Sequence, residues 1–145
     1  MLEVCAKGSD GTSLVELVLA LLILAVLLGL AYPSWQRFQA HQSLRYAAAQ
    51  VATDLREAQE RAKAERKAYQ VSFTDRSGRY QVQRNDGGFV HVADLPRGVV
   101  VEGGVLVTFS AFGRPNGAYR IVLSNPAGSA TVTVDPGGGI RYDAP

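Results

Sequence analysis

The side chains that most often carry chemistry are few in this chain and widely separated. His41 and His91 lie outside any metal-ligand spacing, and Cys5 is the single cysteine, which excludes an intramolecular disulfide. The run at 137–139 is three glycines, but it lacks the Lys-Ser/Thr ending of a phosphate-binding loop. The sequence therefore predicts no catalytic residue, no metal site, no cofactor and no small-molecule substrate.

Most carboxylates in the first half of the chain lie among basic residues in one charged stretch. Glu57 and Arg61, for example, are i, i+4 neighbours on a helix, where such a pair stabilises by a few tenths of a kcal/mol. Solvation is the simplest role for these groups, so we expect a solvated helix face and no acid–base site. We do not expect an enzyme.

One carboxylate, Glu16, lies at the start of an apolar stretch that has no charged residue as far as Trp35. At about 1.5 Å per residue, a helix over 13–35 spans roughly 35 Å, enough to cross a hydrocarbon core of about 30 Å. A carboxylate inside an apolar helix costs about 2.5–3.5 kcal/mol on insertion scales. Glu16 therefore needs a partner, unless its side chain snorkels to water at the membrane edge.

Three fates compete for this apolar stretch: a plain membrane anchor, a secretory signal cut after it, and a signal cut before it. A secretory signal needs a positive start, yet residues 1–16 carry three carboxylates and one lysine. The small residues of 29–31 imitate a secretory cleavage site, but Pro33, two residues beyond them, disfavours cutting there. A plain anchor has no use for Glu16. The signal cut before the apolar stretch fits best.

The segment 11–17 resembles the type IV prepilin motif, in which a prepilin peptidase cuts after a glycine. The resemblance implies cleavage between Gly11 and Thr12, and Thr12 would be the residue open to N-methylation. Counted from Thr12, Glu16 is the fifth residue and Pro33 the twenty-second, as in type IV pilins. Thr12 itself departs from the phenylalanine usual there. The resemblance also implies that Glu16 and Pro33 serve filament assembly, with Glu16 facing the free N-terminal amine of a neighbouring subunit.

Beyond Pro33 the spacing of apolar residues alternates between four and three, which indicates one apolar stripe on a helix. The stripe consists of Leu44, Ala48, Val51, Leu55, Ala58 and Ala62. We expect a single helix from about residue 13 to 67. Because proline removes one hydrogen bond and clashes with the previous turn, we expect a kink or local melting near 29–33.

From residue 69 the periodicity changes to two, and residues that favour strands separate turn residues. The predicted strands are 69–73, 80–83, 89–92, 99–101, 105–110, 121–123, 130–134 and 140–142. We expect 105–110 to continue the sheet that contains 99–101. Strands in succession, with no crossover helix between them, imply antiparallel sheets.

The predicted fold class is α+β, with a long N-terminal transmembrane and amphipathic helix packed on a small antiparallel β-domain, as in pilins. The predicted parts are a leader over 1–11, a transmembrane part of the helix over 12–35, an amphipathic part over 36–67 and a β-domain over 68–145.

The C-terminal part, through 108–115 and 139–141, resembles the GspH/FimT group of pseudopilins and minor pilins. That resemblance implies a subunit of a type IV pilus or type II secretion filament, whose partners are other pilins, prepilin peptidase and the membrane. It also implies a single pass through the inner membrane, with the C-terminal domain outside the cytoplasm and, after assembly, in a periplasmic or surface filament.

The alternative function is DNA capture for uptake, since some members of that group are understood to bind DNA through a Gly-Arg-x-Arg element. The matching positions here, 138–141, keep only Arg141, and Arg114 is the second candidate DNA contact. One arginine contacts about one phosphate, so useful affinity requires other arginines, such as Arg120 or Arg97, on the same face. We rank assembly above DNA capture.

Overall fold

The computed structural model describes residues 13–145, so the leader predicted for 1–11, with Gly11, and the predicted first mature residue Thr12 lie outside the described residues. The chain divides into two compact units, with the boundary between Arg37 and Phe38. The described part of the first unit is helical. The second unit contains the rest of that helix and all eight strands.

The helix α1 extends over Leu14–Glu65, which confirms the single long helix. It begins after Ser13, whose hydroxyl accepts a hydrogen bond from the Val15 amide at 3.2 Å, as at a typical N-cap. The local melting expected near 29–33 is not observed, because Pro33 lies inside continuous helix. The residue four positions before it is Gly29, whose adaptable backbone can accommodate the proline ring.

The C-terminal end of α1 is closed by a backbone motif. Arg66 has φ 54°, in the left-handed region, and the Lys67 amide donates to the Ala62 carbonyl at 3.2 Å. This pattern is the Schellman ending, in which glycine is the usual residue at the position of Arg66. The chain can then reverse directly into the first strand.

The predicted apolar stripe of α1 is confirmed, since all six of its residues are buried in the core of the second unit. Ala47, Ala52 and Gln59 are buried on the same face. The buried core residues lie between Leu44 and Ile140, and residues 38–145 therefore have a core of their own.

The strands form two four-stranded antiparallel sheets, which confirms the small antiparallel β-domain. The first sheet has the order β3-β2-β1-β5 and the second β4-β6-β7-β8. The strands are β1 (Tyr69–Phe73), β2 (Arg79–Arg84), β3 (Val90–Asp94), β4 (Val100–Glu102), β5 (Val105–Phe109), β6 (Tyr119–Asn125), β7 (Gly128–Val134) and β8 (Ile140–Asp143).

One expectation about the sheets is wrong: 105–110 does not continue the sheet of 99–101. β4 pairs with β6 and β5 pairs with β1, so the chain changes sheets between them, at Gly103 and Gly104. Gly103 has φ 81° and donates its amide to the Asp75 carboxylate at 2.8 Å. A left-handed glycine redirects the chain at this point, and two residues are enough to move it to the other sheet.

Candidate functional site

The first candidate surface is the apolar segment at the start of α1. From Leu14 to Trp35, fifteen large apolar side chains are each 51–79% exposed. This helix is long and apolar enough to cross a membrane. An apolar surface of this size is stable only against lipid or other apolar helices.

Glu16 and Pro33, the two residues predicted to serve assembly, are both exposed on this segment. Glu16 lies in the first turn of α1, where a negative charge complements the positive end of the helix dipole. Its amide donates to the Ser13 carbonyl at 2.6 Å. The carboxylate is therefore compatible with the helix, and its side chain is exposed. Its role in assembly stays a prediction.

The second candidate site is formed by two turns that meet on α1. The Gln59 amide nitrogen donates to the Gly113 carbonyl at 2.9 Å and to the Gly138 carbonyl at 3.2 Å. Arg56, one turn earlier on the helix, donates to the Ile140 carbonyl at 3.0 Å. These bonds bring together the two segments that carry the pseudopilin resemblance.

Both turns favour glycine, because each needs a left-handed φ and leaves little room beside α1 or its Gln59 side chain. Gly113 has φ 71°, and a Cβ there would lie 2.5 Å from the Lys63 Cε and 3.0 Å from the Gln59 carbonyl oxygen. Gly138 has φ 93°, and a Cβ there would lie 2.7 Å from the Gln59 amide nitrogen. A side chain at Gly113 would push the turn away from the helix, and one at Gly138 would displace the Gln59 amide from its two carbonyls.

The two candidate DNA contacts lie in different surroundings. Arg114 is exposed in the connection between β5 and β6, where its amide donates to the Ser110 hydroxyl at 3.3 Å. Arg141 is exposed on β8, and its guanidinium lies 2.9 Å from the Asp135 carboxylate. That ion pair offsets part of the positive charge that a phosphate would meet.

One of the other arginines does align with Arg141. Arg120 on β6 and Arg141 on β8 both pair with Thr133 on β7, so the three side chains form one row on the outer face of the second sheet. The next row across the same face ends in two carboxylates, Glu102 on β4 and Asp143 on β8. The face therefore carries both signs of charge. Arg97 lies apart, between β3 and β4.

The charged face of α1 is largely solvated, as predicted, and Glu57 and Arg61 form the expected pair at 2.8 Å. Asp54 is an exception, because it accepts a hydrogen bond from the Tyr80 hydroxyl on β2. Burial, followed by this bond to Asp54, raises the pKa of Tyr80 well above its usual range. The interaction ties α1 to the first sheet and leaves Tyr80 neutral at every physiological pH.

Sequence reasoning missed Gln59, the residue that holds the two turns. The available signal was its position, since it follows Leu55 by four residues and lies beside Ala58 and Ala62 on the apolar stripe. A polar residue on a buried face needs hydrogen-bond partners. Among residues 13–145, no cluster of three or more histidine, cysteine or acidic side chains has the arrangement of a metal site.

Comparisons with known proteins identify related molecules. Residues 47–138 match a family model described as type II transport protein GspH. The structure is similar to the crystal structure of the type IV minor pilin FimU from Pseudomonas aeruginosa strain PAO1, with a TM-score of 0.57 and 15% sequence identity. The match covers 74% of this chain and 96% of FimU, and at this identity it shows a shared fold. No curated protein matches the chain.

Proposed function

The chain belongs to the GspH family, and we propose that this minor pilin or pseudopilin is cut by prepilin peptidase between Gly11 and Thr12 and then assembles into a filament with other pilins. The observation that carries the proposal is the exposed apolar surface of α1, formed by fifteen side chains from Leu14 to Trp35, which begins two residues after the proposed cleavage point. The FimU-like fold is consistent with it.

The proposed course has two stages, and the same apolar segment serves both. Before assembly, Leu14 to Trp35 crosses the inner membrane once, with residues 38–145 outside the cytoplasm. During assembly the segment leaves the lipid and packs against the corresponding segments of neighbouring subunits. Both surroundings are apolar, so the transfer leaves its exposed side chains out of water throughout.

Glu16 gives this assembly its register. Cleavage creates a free amine at Thr12, and a carboxylate paired with an amine in lipid or a dry filament core offsets the desolvation that each would suffer alone. An intermolecular pair of this kind fixes how far one subunit lies along its neighbour. It also makes entry into the filament conditional on cleavage.

The test is the amount of Glu16→Ala chain recovered in filaments sheared from cells, relative to its amount in membranes. We expect at least a tenfold fall, the change that about 1.4 kcal/mol produces. Glu102→Ala, which removes an exposed carboxylate on β4, is the matched control and should leave recovery unchanged. Recovery of Glu16→Ala at the wild-type level would refute the pairing.

A further inference from the structure

Phe112 is a large aromatic side chain that the fold displays and does not bury. It is 70% exposed at the tip of the turn between β5 and β6. The turn is held by the Gly113 amide, which donates to the Ser110 carbonyl at 2.8 Å, and by the Ser110 amide, which donates to the Arg114 carbonyl at 2.9 Å. The close packing of Gly113 on α1 fixes it further. A rigid, exposed aromatic side chain is the usual anchor of a protein interface.

Two cations share a hollow with this aromatic side chain, and a third lies close to it in sequence. Lys63, Arg66 and Phe112 line a hollow of about 340 Å³, and Arg114 follows Phe112 by two residues. The carboxylate nearby is that of Glu60, 2.8 Å from the Lys63 amine. Arg66 has a left-handed backbone conformation, which glycine usually adopts at this position of a helix end, so a charged side chain stands where such helix ends usually have none. We call Phe112, Lys63, Arg66 and Arg114 the Phe112 knob.

A recess of complementary chemistry lies beside α1 in the same unit. It has a volume of about 340 Å³, within the range of ligand-sized pockets, and we call it the Phe89 cleft. Its apolar wall is formed by Ala58, Val82 and Phe89, and Asp54 and Glu57 supply two carboxylates. Its other titratable groups are His91 and Arg61, whose guanidinium is paired with Glu57 and lies 4.7 Å from the Phe89 ring centroid.

The knob and the cleft lie on opposite flanks of α1. At about 100° per residue, Lys63 of the knob is rotated about 200° from Arg61 of the cleft. One copy therefore cannot join its own two surfaces. A contact between the knob of one copy and the cleft of the next is heterologous, and such contacts propagate as open helical assemblies where they do not close into a ring.

We propose that the Phe112 knob docks into the Phe89 cleft of a second copy of this chain. The aromatic side chain meets the apolar wall, while the knob's cations meet Asp54, the cleft carboxylate that has no ion pair among residues 13–145. This inference rests on the proposed filament function, because the contact would join neighbouring subunits of that filament. A single anchor is weak in solution, but two chains in one membrane meet at high effective concentration.

A protein partner fits the knob better than a nucleic acid does. Lys63 is already paired with Glu60, which leaves Arg66 and Arg114 as the knob cations without an ion pair among residues 13–145. Two cations neutralise about two phosphates, whereas proteins that bind DNA usefully make roughly six to ten such contacts. The cleft instead offers an apolar wall and the carboxylate of Asp54, which has no ion pair among residues 13–145, whereas Glu57 is paired with Arg61.

The experiment uses the full chain, reconstituted in lipid vesicles without other proteins and carrying the photo-crosslinking residue p-benzoylphenylalanine at position 112. We expect a covalent dimer whose adduct maps to 82–91 of the second copy. The same residue at position 91 should give an adduct that maps to 110–114. Tyr46, a 67% exposed aromatic elsewhere on α1, is the matched control site and should give no adduct at 82–91.

Charge supplies a second readout. Arg114→Glu should lower the yield of the position-112 dimer at least fivefold, while Arg97→Glu, in the connection between β3 and β4, should leave it unchanged. Absence of the dimer, or an adduct that maps outside the cleft, would overturn the proposal. The vesicles contain no filament machinery, so a negative crosslinking result would not contradict the proposal that the chain is a filament subunit. Conversely, failure of the chain to enter filaments in cells would not contradict a dimer observed in vesicles.

Discussion

At the scale of single residues, Gln59 decides how the C-terminal half of the fold is held. Its one amide group donates to carbonyls in two turns that are 54 and 79 positions away in sequence. A buried carbonyl without a hydrogen-bond partner costs about 1–3 kcal/mol, so loss of the Gln59 side chain should destabilise both turns. The Phe112 knob depends on the first of those turns for its position.

Gln59→Leu should therefore lower the free energy of unfolding of residues 38–145 by about 2 kcal/mol, because an isosteric apolar side chain leaves both carbonyls unpaired. Urea denaturation measures the change. Gln70→Leu removes a half-buried glutamine that bonds only side chains, Asn85 at 2.6 Å and Gln83 at 3.3 Å, and should cost less than about 1 kcal/mol because both partners can turn to water. Equal losses for the two variants would show that Gln59 has no special role.

At the scale of elements, the end of α1 is tied to β2 and the following turn by a chain of ion pairs. Arg84 lies 2.7 Å from Glu65, and Lys67 lies 2.7 Å from Asp86, which Arg84 also contacts. Hydrogen bonds from Lys67 and Arg84 hold the pKa of Asp86 well below its usual range, and the bond from Arg84, followed by that from Tyr69, lowers the pKa of Glu65.

These two pKa shifts predict how stability depends on pH. A carboxylate whose pKa is lower in the folded state than in the unfolded state stabilises the fold at pH values above its unfolded pKa of about 4. This stabilisation is lost as the pH falls through the folded-state pKa. The melting temperature of residues 38–145 should thus fall as pH is lowered from 5 towards 2. Asp86→Asn should flatten that dependence. If the melting temperature of Asp86→Asn depended on pH as steeply as that of the wild type, Asp86 would not be a source of the pH dependence.

The elements also show what the sequence could predict. Local patterns were sufficient for α1 and for all eight strands, because the apolar periodicity changes cleanly from helical to alternating at Tyr69. Pairing between distant strands was not predictable in the same way. β4 and β5 are adjacent in sequence and in different sheets, and only partners far along the chain decide that arrangement. The Gln59 contacts are equally distant in sequence, so they needed the structure.

At the scale of the whole molecule, charge argues against DNA as the main partner. The segment 68–145 contains seven arginines and six carboxylates, and its one aligned basic row lies beside an acidic one. Residues 34–145 should bind duplex DNA only in the non-specific range, with a Kd of about 10⁻⁴–10⁻⁶ M or weaker at physiological salt. Titration at two salt concentrations, with Arg114→Ala and Arg141→Ala, measures this. Sub-micromolar binding that either substitution abolishes would make DNA capture the leading function.

The central claim is that the chain enters a filament after cleavage at Gly11, and the intact mass of the chain in purified filaments tests it most directly. We predict a species that begins at Thr12, with or without one methyl group, and its disappearance from filaments in cells that lack prepilin peptidase. A chain that keeps residues 1–11, one that begins at Tyr32, or filaments devoid of the chain would contradict the account.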